Sequence, residues 1–180
     1  MRELYQVWPS SLSSEDIERI TDIARRAPTE HATVFSSAET MEGIRSCAVR
    51  WLDDEWIQSL LWPYVIEANE RGFQVNVDRQ SEMQFTEYAA EQGAQYGWHH
   101  DVQWNGQSGL DRKISVTVQL SDADEYEGGD FEFDELKTNA DFRSKGTVLV
   151  FPSYLRHRIH PVTAGTRRAL VAWFFGPRWS

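Results

Sequence analysis

Arg167-Arg168-Ala169-Leu170-Val171-Ala172-Trp173-Phe174-Phe175 is the stretch on which the fold turns. On an extended strand successive side chains point to opposite faces, so Leu170, Ala172 and Phe174 oppose Ala169, Val171, Trp173 and Phe175. Both faces are apolar, which predicts a strand buried on both sides. Arg167 falls by parity on the face of Ala169, Val171 and Trp173. A guanidinium opening onto a buried face calls for an anionic partner, because an unpaired buried charge is costly. Residues 114–120 show the same period, with Ile114, Val116, Val118 and Leu120 opposing Ser115, Thr117 and Gln119.

Outward from these two strands, the chain after Gly72 reads as short strands divided by turn residues. Residues 73–77, 83–88, 130–133 and 147–151 are the other clear ones, punctuated by Gly128-Gly129 and Ser144-Lys145-Gly146. Before Gly72 the texture is helical. Ser13-Ser14-Glu15-Asp16 offers a capping hydroxyl and first-turn acids, and Ile17, Ile20 and Ala24 follow until Pro28. A second amphipathic segment starts near Asp53 or Asp54 and carries Trp56, Ile57, Leu60, Leu61, Tyr64, Val65 and Ala68, with Pro63 expected to kink it or mark a break. Two helices followed by about eight short strands predict an α+β fold whose β part is a sandwich or jelly roll. No repeat or linker divides the 180 residues, so they read as one domain, residues 1–72 mainly helical support and 73–180 the β core.

Composition narrows the partners. Apolar residues at 41% and charged residues at 26% exclude wholesale disorder, and eight Trp promise a well-packed core. A net charge of −10 speaks against general nucleic-acid affinity, since phosphates are held by Lys and Arg. The excess is sharpest over residues 122–135, where eight acids occur without a basic residue. That segment reads as a solvated acidic loop and strand, or as a rim attracting a basic substrate. The longest apolar run has seven residues, so no membrane span is expected. Met1-Arg2-Glu3-Leu4 shows no secretory pattern, and the single Cys47 fits a reducing compartment, so the expected location is cytoplasmic.

Four of the five histidines fall in two stretches, Gly97-Trp98-His99-His100-Asp101 and Arg156-His157-Arg158-Ile159-His160; the fifth, His31, has no motif around it. On a strand His99 and Asp101 share a face and His100 points away. One imidazole and one carboxylate two residues apart supply neighbouring corners of an octahedron. A third ligand from a distant strand would complete a set of two His and one carboxylate with open positions, as suits non-haem Fe(II).

The surrounding sequence makes this specific. Tyr96-Gly97-Trp98-His99-His100-Asp101, then Phe151-Pro152-Ser153, His157, Pro161-Val162, Gly165 and Arg167, resemble the Fe(II)/2-oxoglutarate dioxygenases of the prolyl 4-hydroxylase type, most closely their small bacterial and phage branch. Arg112-Lys113-Ile114-Ser115, Tyr126-Glu127-Gly128-Gly129-Asp130 and Trp173-Phe174-Phe175-Gly176 look familial too. The resemblance is strong over residues 83–177 and looser in the N-terminal part. It implies a double-stranded β-helix (jelly roll) with the N-terminal helices packed on one sheet. It implies iron ligation by His99, Asp101 and His157, the last preferred over His160 because Arg167 stands ten positions beyond it. Arg167 would grip the distal carboxylate of 2-oxoglutarate through two parallel donors. Ala169 stands where some relatives place a serine, so a second contact must come from elsewhere, with Gln119, Thr117, Tyr96 and Tyr88 as candidates. Trp104, before the polar, Gly-containing residues 105–109, could belong to a lid over the entrance, while Trp173 and Phe151 read as core. The implied activity is hydroxylation of an unactivated C–H in a peptidyl proline or other protein side chain, giving succinate and CO2, with ascorbate as reductant. A small-molecule substrate, or a non-catalytic metal-binding barrel, is the alternative.

Overall fold

The computed structural model describes residues 4–34, 45–102, 104, 109–138 and 140–179, with only the backbone of 31–34 and 45–46, so the His31 side chain lies outside the described residues. Ser13 caps the first helix, its hydroxyl oxygen accepting the Asp16 N–H at 3.1 Å, and α1 runs over Ser14–Arg26. Asp54 caps α2 (Glu55–Ala68) in the same way, accepting the Ile57 N–H at 2.9 Å. The break expected at Pro63 does not occur, and α2 continues through it. Proline removes one donor, but Ile57, Leu61, Val65 and Ala68 are all buried on the sheet. At about 1.5–3 kcal/mol for each large apolar side chain, that burial outweighs the lost hydrogen bond.

Eleven strands occur among the described residues: β1 (Gln6–Trp8), β2 (Glu30–Val34), β3 (Arg45–Leu52), β4 (Ser81–Ala89), β5 (Gln95–His99), β6 (Leu110–Gln119), β7 (Tyr126–Gly128), β8 (Phe131–Phe133), β9 (Val148–Pro152), β10 (His157–Ile159) and β11 (Val162–Pro177). One wall has the order β1-β9-β6-β11-β4-β3, with β2 on the outer edge of β3. The other is β5-β10-β8, and β7 pairs with the first residues of β11. Arg45 and Ser46 of β3 also pair with β5 and so join the walls. All pairings are antiparallel, and residues of both walls line one interior cavity. This is a double-stranded β-helix, or jelly roll.

The strand parity read from the sequence decides what lies on each face. Leu170, Ala172 and Phe174 of β11 join Met83, Phe85, Ile114, Val116, Val118, Val148 and Val150 in the core beneath the helices. Arg167, Ala169, Val171 and Trp173 face the cavity instead, beside Gln84, Thr86 and Tyr88 of β4. The helices therefore cover one wall, and the opposite face of that wall carries polar groups among its apolar ones.

Two expectations need correction. Residues 73–77 are not a strand. Phe73 closes a π turn over Asn69–Phe73, and Gln74 takes a left-handed conformation with φ of 53°. The Asn69 side chain then bonds Val75 on both sides, donating to its carbonyl at 3.0 Å and accepting its N–H at 2.9 Å, so the backbone is satisfied without a ladder. The first 72 residues, read as helical, also contribute β1, β2 and β3. In β3, Cys47 and Val49 alternate with Ala48 and Arg50, too mixed a pattern to announce a strand. Among the described residues no helix is long and apolar enough to cross a membrane.

Leu61 is fully buried between α2 and the sheet. Leu61→Ala is expected to lower stability by about 2–5 kcal/mol, measured by urea unfolding.

Candidate active site

His99 ends β5 directly opposite His157, which begins β10, and their rings stand 4.2 Å apart. Asp101 follows two residues after His99, and one donor atom from each of the three side chains lies within 4.8 Å of the others. Both Nε2 atoms converge on Asp101 Oδ1, at 3.4 Å from His99 and 3.6 Å from His157. Each Nδ1 is engaged by the carbonyl two residues back, Gly97 at 2.7 Å and Leu155 at 2.8 Å. A donating Nδ1–H leaves the Nε2 lone pair pointing into the cluster, the arrangement a metal requires.

Asp101 is held more tightly than its motif suggests. The Ser153 carbonyl accepts the N–H groups of Asp101 at 3.0 Å and Val102 at 3.3 Å. Ser115 donates its hydroxyl to Asp101 Oδ2 at 2.6 Å and lies 2.9 Å from the Ser153 hydroxyl. Neither serine was singled out from sequence as a support for the site. The polar parity of Ser115 and the Phe151-Pro152-Ser153 motif were the available signals. His157 is walled by Phe131, stacked at 5.2 Å, and by Phe151 at 4.8 Å.

A bulge supplies one further contact. His157 pairs with His99 while Ile159 pairs with Tyr96, so four residues of β5 face three of β10. Tyr96 and His99 consequently both turn inward, and their rings stack with centroids 3.4 Å apart. Strict alternation would have put them on opposite faces.

Burial acts on these groups in opposite ways. It would raise the Asp101 carboxyl, but the charge of His157 and the contacts of His99 and Ser115 outweigh it and hold the group well below the usual carboxylate range. His157 is pushed down to about 4, chiefly by burial and only partly offset by Asp101. At neutral pH the site therefore holds one carboxylate and a neutral His157.

The cavity beyond the cluster is lined by Tyr88, Tyr96, Thr117, Arg167, Val171 and Trp173 among others. Arg167 is only 3% exposed, and its guanidinium lies over the Tyr88 ring at 5.7 Å. None of the ion pairs among the described residues includes it. Gln119 departs from expectation. Its amide donates to the Tyr126 hydroxyl at 3.0 Å and the Ser121 carbonyl at 3.3 Å, and it does not line the cavity. Gln84 and Thr86 line it unforeseen, although the Thr86 hydroxyl is engaged by the Ala169 carbonyl at 3.1 Å. Phe151 is core, as expected, whereas Trp173 is buried but faces the cavity. Trp104 is 60% exposed, and the lid expected over residues 105–108 lies outside the described residues.

His100 and His160 turn away. His100 meets the Tyr154 carbonyl at 2.7 Å and His160 meets Glu132 at 2.6 Å. Half of the eight acids of this segment are paired from within the protein, by Lys145 on Asp122, Arg143 on Asp130, Arg158 on Glu132 and Arg156 on Asp134. That pairing favours the solvated reading of these acids over a rim for basic substrates.

The sequence profile of the 2OG-Fe(II) oxygenase superfamily matches residues 83–175. Among curated proteins, a PKHD-type hydroxylase of Idiomarina loihiensis is 34% identical over 84 residues, 46% of this chain and 38% of the relative. A PKHD-type hydroxylase of Teredinibacter turnerae is 40% identical over 91 residues, 45% of this chain and 38% of the relative. The alignments thus span well under half the length of these relatives. Among solved structures, a Pseudomonas putida prolyl-4-hydroxylase superposes with a TM-score of 0.70 at 20% identity, covering 98% of this chain and 94% of that one. A Trichoplax adhaerens prolyl hydroxylase, solved with a hypoxia inducible factor peptide fragment, gives 0.71 at 17% identity over 96% of this chain and 83% of that one. At these identities the structural likeness is one of fold.

Two outcomes are expected. Ser115→Ala should weaken Mn(II) binding by about tenfold, read by calorimetry, because Asp101 loses its orienting donor. The second concerns pH. Folded His157 binds fewer protons than the unfolded chain between about 4 and its ordinary 6.5, so the metal-free protein should lose stability as pH falls through that window. Asp101 stays ionised throughout it. Thermal unfolding of the wild type and His157→Leu checks this, the variant showing the flatter dependence.

Proposed function

The chain belongs to the 2OG-Fe(II) oxygenase superfamily, and we propose that it is an Fe(II)- and 2-oxoglutarate-dependent dioxygenase that hydroxylates a peptidyl proline or another protein side chain. One observation carries the reading. A buried guanidinium that makes no ion pair among the described residues faces the same cavity as a His-Asp-His cluster. A purely structural metal site has no use for such a group, whereas a keto-diacid bound at the metal would supply the missing anion.

In this reading His99, Asp101 and His157 hold the iron, and Arg167 holds the distal carboxylate of 2-oxoglutarate in a two-donor grip. Fe(II), when bound, supplies the centre at which O2 and the keto acid react, with succinate and CO2 as products. The chain's own work is orientation and charge. Asp101, kept ionised, offsets part of the metal's charge, and the two Nδ1–H···O=C bonds fix the imidazoles. Tyr96 packs on one ring and Phe131 on the other, shielding the ligands from water. Thr117, Tyr88 and Tyr96 remain as candidates for the second contact that Ala169 cannot make. Trp51, 44% exposed, stands 6.2 Å from Trp173 and offers an aromatic wall on which a proline ring can pack. The fold neighbours named as prolyl hydroxylases support that substrate class. Ascorbate as reductant and a cytoplasmic location belong to the same proposal.

Purified protein with Fe(II) and ascorbate is expected to convert 2-oxoglutarate to succinate, and a chelator should abolish the turnover. His157→Ala and Arg167→Ala should each lower it by about 100-fold or more, with circular dichroism unchanged. Full turnover in both variants would overturn the assignment. A search for +16 Da products among proline-containing peptides, taken with candidate small molecules, decides the substrate class.

A further inference from the structure

Arg167 is anchored at one end of the cavity by a turn that another arginine holds. Gly128, the last residue of β7, and Gly129, which follows it, are consecutive left-handed residues with φ of 70° and 64°. Gly129 packs onto the aliphatic stem of Arg167. A methyl group there would stand 3.1 Å from Arg167 Cδ and 2.9 Å from Val162 Cγ2. The Gly129 N–H donates to the Pro161 carbonyl at 3.0 Å, which seats the turn on the approach to β11. Two left-handed glycines carry little stiffness of their own, since glycine has the widest conformational freedom.

Arg143, in the connection between β8 and β9, supplies that stiffness. Its guanidinium donates to the Gly128 carbonyl at 2.8 Å, to Asp130 Oδ1 at 2.7 Å, to the Tyr126 carbonyl at 3.1 Å and to the Ala123 carbonyl at 3.3 Å. It also lies over the Tyr126 ring at 4.3 Å. The Tyr126 hydroxyl in turn accepts from Gln119, which sits on the wall opposite Ala169. One planar group thus ties the residues before β7, both ends of β7 and Asp130 in the turn that follows it together. Four donors aimed at fixed carbonyls and a carboxylate are a geometry a lysine cannot reproduce.

We propose that Arg143 is a positioning residue for the co-substrate anchor, setting the place of the Arg167 side chain through the Gly128–Gly129 turn. The inference rests on the reading of Arg167 as the 2-oxoglutarate anchor. It assigns to Arg143 a part in co-substrate affinity and none in holding the metal, whose ligands lie on β5, β10 and the residues after β5.

The test is a double-mutant cycle on the Mn(II)-loaded full chain, reading 2-oxoglutarate affinity by calorimetry and Mn(II) affinity separately. Arg143→Met should weaken 2-oxoglutarate binding by about tenfold and leave Mn(II) binding unchanged. Arg143→Lys should recover part of the loss, and it takes the place of the methionine variant if that one does not fold. In an Arg167→Ala background, Arg143→Met should add nothing further. In turnover the same variants should raise the KM for 2-oxoglutarate while kcat at saturation stays within about twofold. If Arg167→Ala weakens binding but the Arg143 variants bind as the wild type does, the inference fails and the reading of Arg167 stands. Equal losses in both backgrounds, or a parallel fall in Mn(II) affinity, would show general structural damage and overturn it too. Wild-type protein that binds no 2-oxoglutarate would remove the reading on which the inference rests.

Discussion

The clamp of Ser153 and Ser115 on Asp101 is the contact on which the site depends. Asp101 follows β5 on one wall, while Ser115 belongs to β6 on the other, and Ser153 adjoins β9 beside it. A buried carboxylate is tolerable only when its lone pairs are met: here the Ser115 hydroxyl donates to Oδ2 and the two Nε2 atoms approach Oδ1, while the Ser153 carbonyl holds the Asp101 backbone in place. The same bonds fix the distance between the walls at the point where the ligands must converge. A structural need and a chemical one are served by one set of hydrogen bonds.

The faces of the helix-covered wall divide the work. Its outer face gives α1 and α2 a continuous aliphatic surface, which supplies the burial a 180-residue domain relies on. Its inner face can then carry Gln84, Thr86, Ser115, Thr117 and Arg167, residues that would weaken an ordinary sandwich core. The polar interior is tolerated because the outer face bears the stability. Arg167 is the extreme case, a buried cation among rings and short side chains. The proposed grip on 2-oxoglutarate would give that oddity a purpose.

Charge is managed locally throughout. Half of the acids of residues 122–135, so prominent in composition, are paired with Arg143, Lys145, Arg156 and Arg158 from elsewhere in the chain. Most of these basic residues lie far enough away in sequence that no window of composition would pair them with the acids. Exposed pairs of this kind add little stability individually. Arg143 differs because most of its bonds go to fixed backbone carbonyls, so it shapes a turn as well as neutralising an acid.

By itself the sequence determined whatever is periodic or local. The alternation in residues 168–175 announced a strand buried on both faces and put Arg167 on the inner one, because side-chain direction along a strand follows from covalent geometry alone. The helix starts at Ser13-Ser14 and near Asp53 or Asp54 were legible for a similar reason, since a capping side chain bonds a backbone group three residues on, as Ser13 and Asp54 do. His99, Asp101 and His157 were legible through their spacing and neighbours. Tertiary structure alone decided what arises between segments. The β5 bulge that turns Tyr96 onto His99 is a property of the pairing with β10, and β5 taken alone carries no sign of it. Gln119 and Thr117 share a face and look equivalent in sequence, yet Tyr126 draws Gln119 aside and leaves Thr117 in the cavity. Hydrogen bonds between distant residues compete for the same side chain, and the winner is set by where the folded chain places the partners.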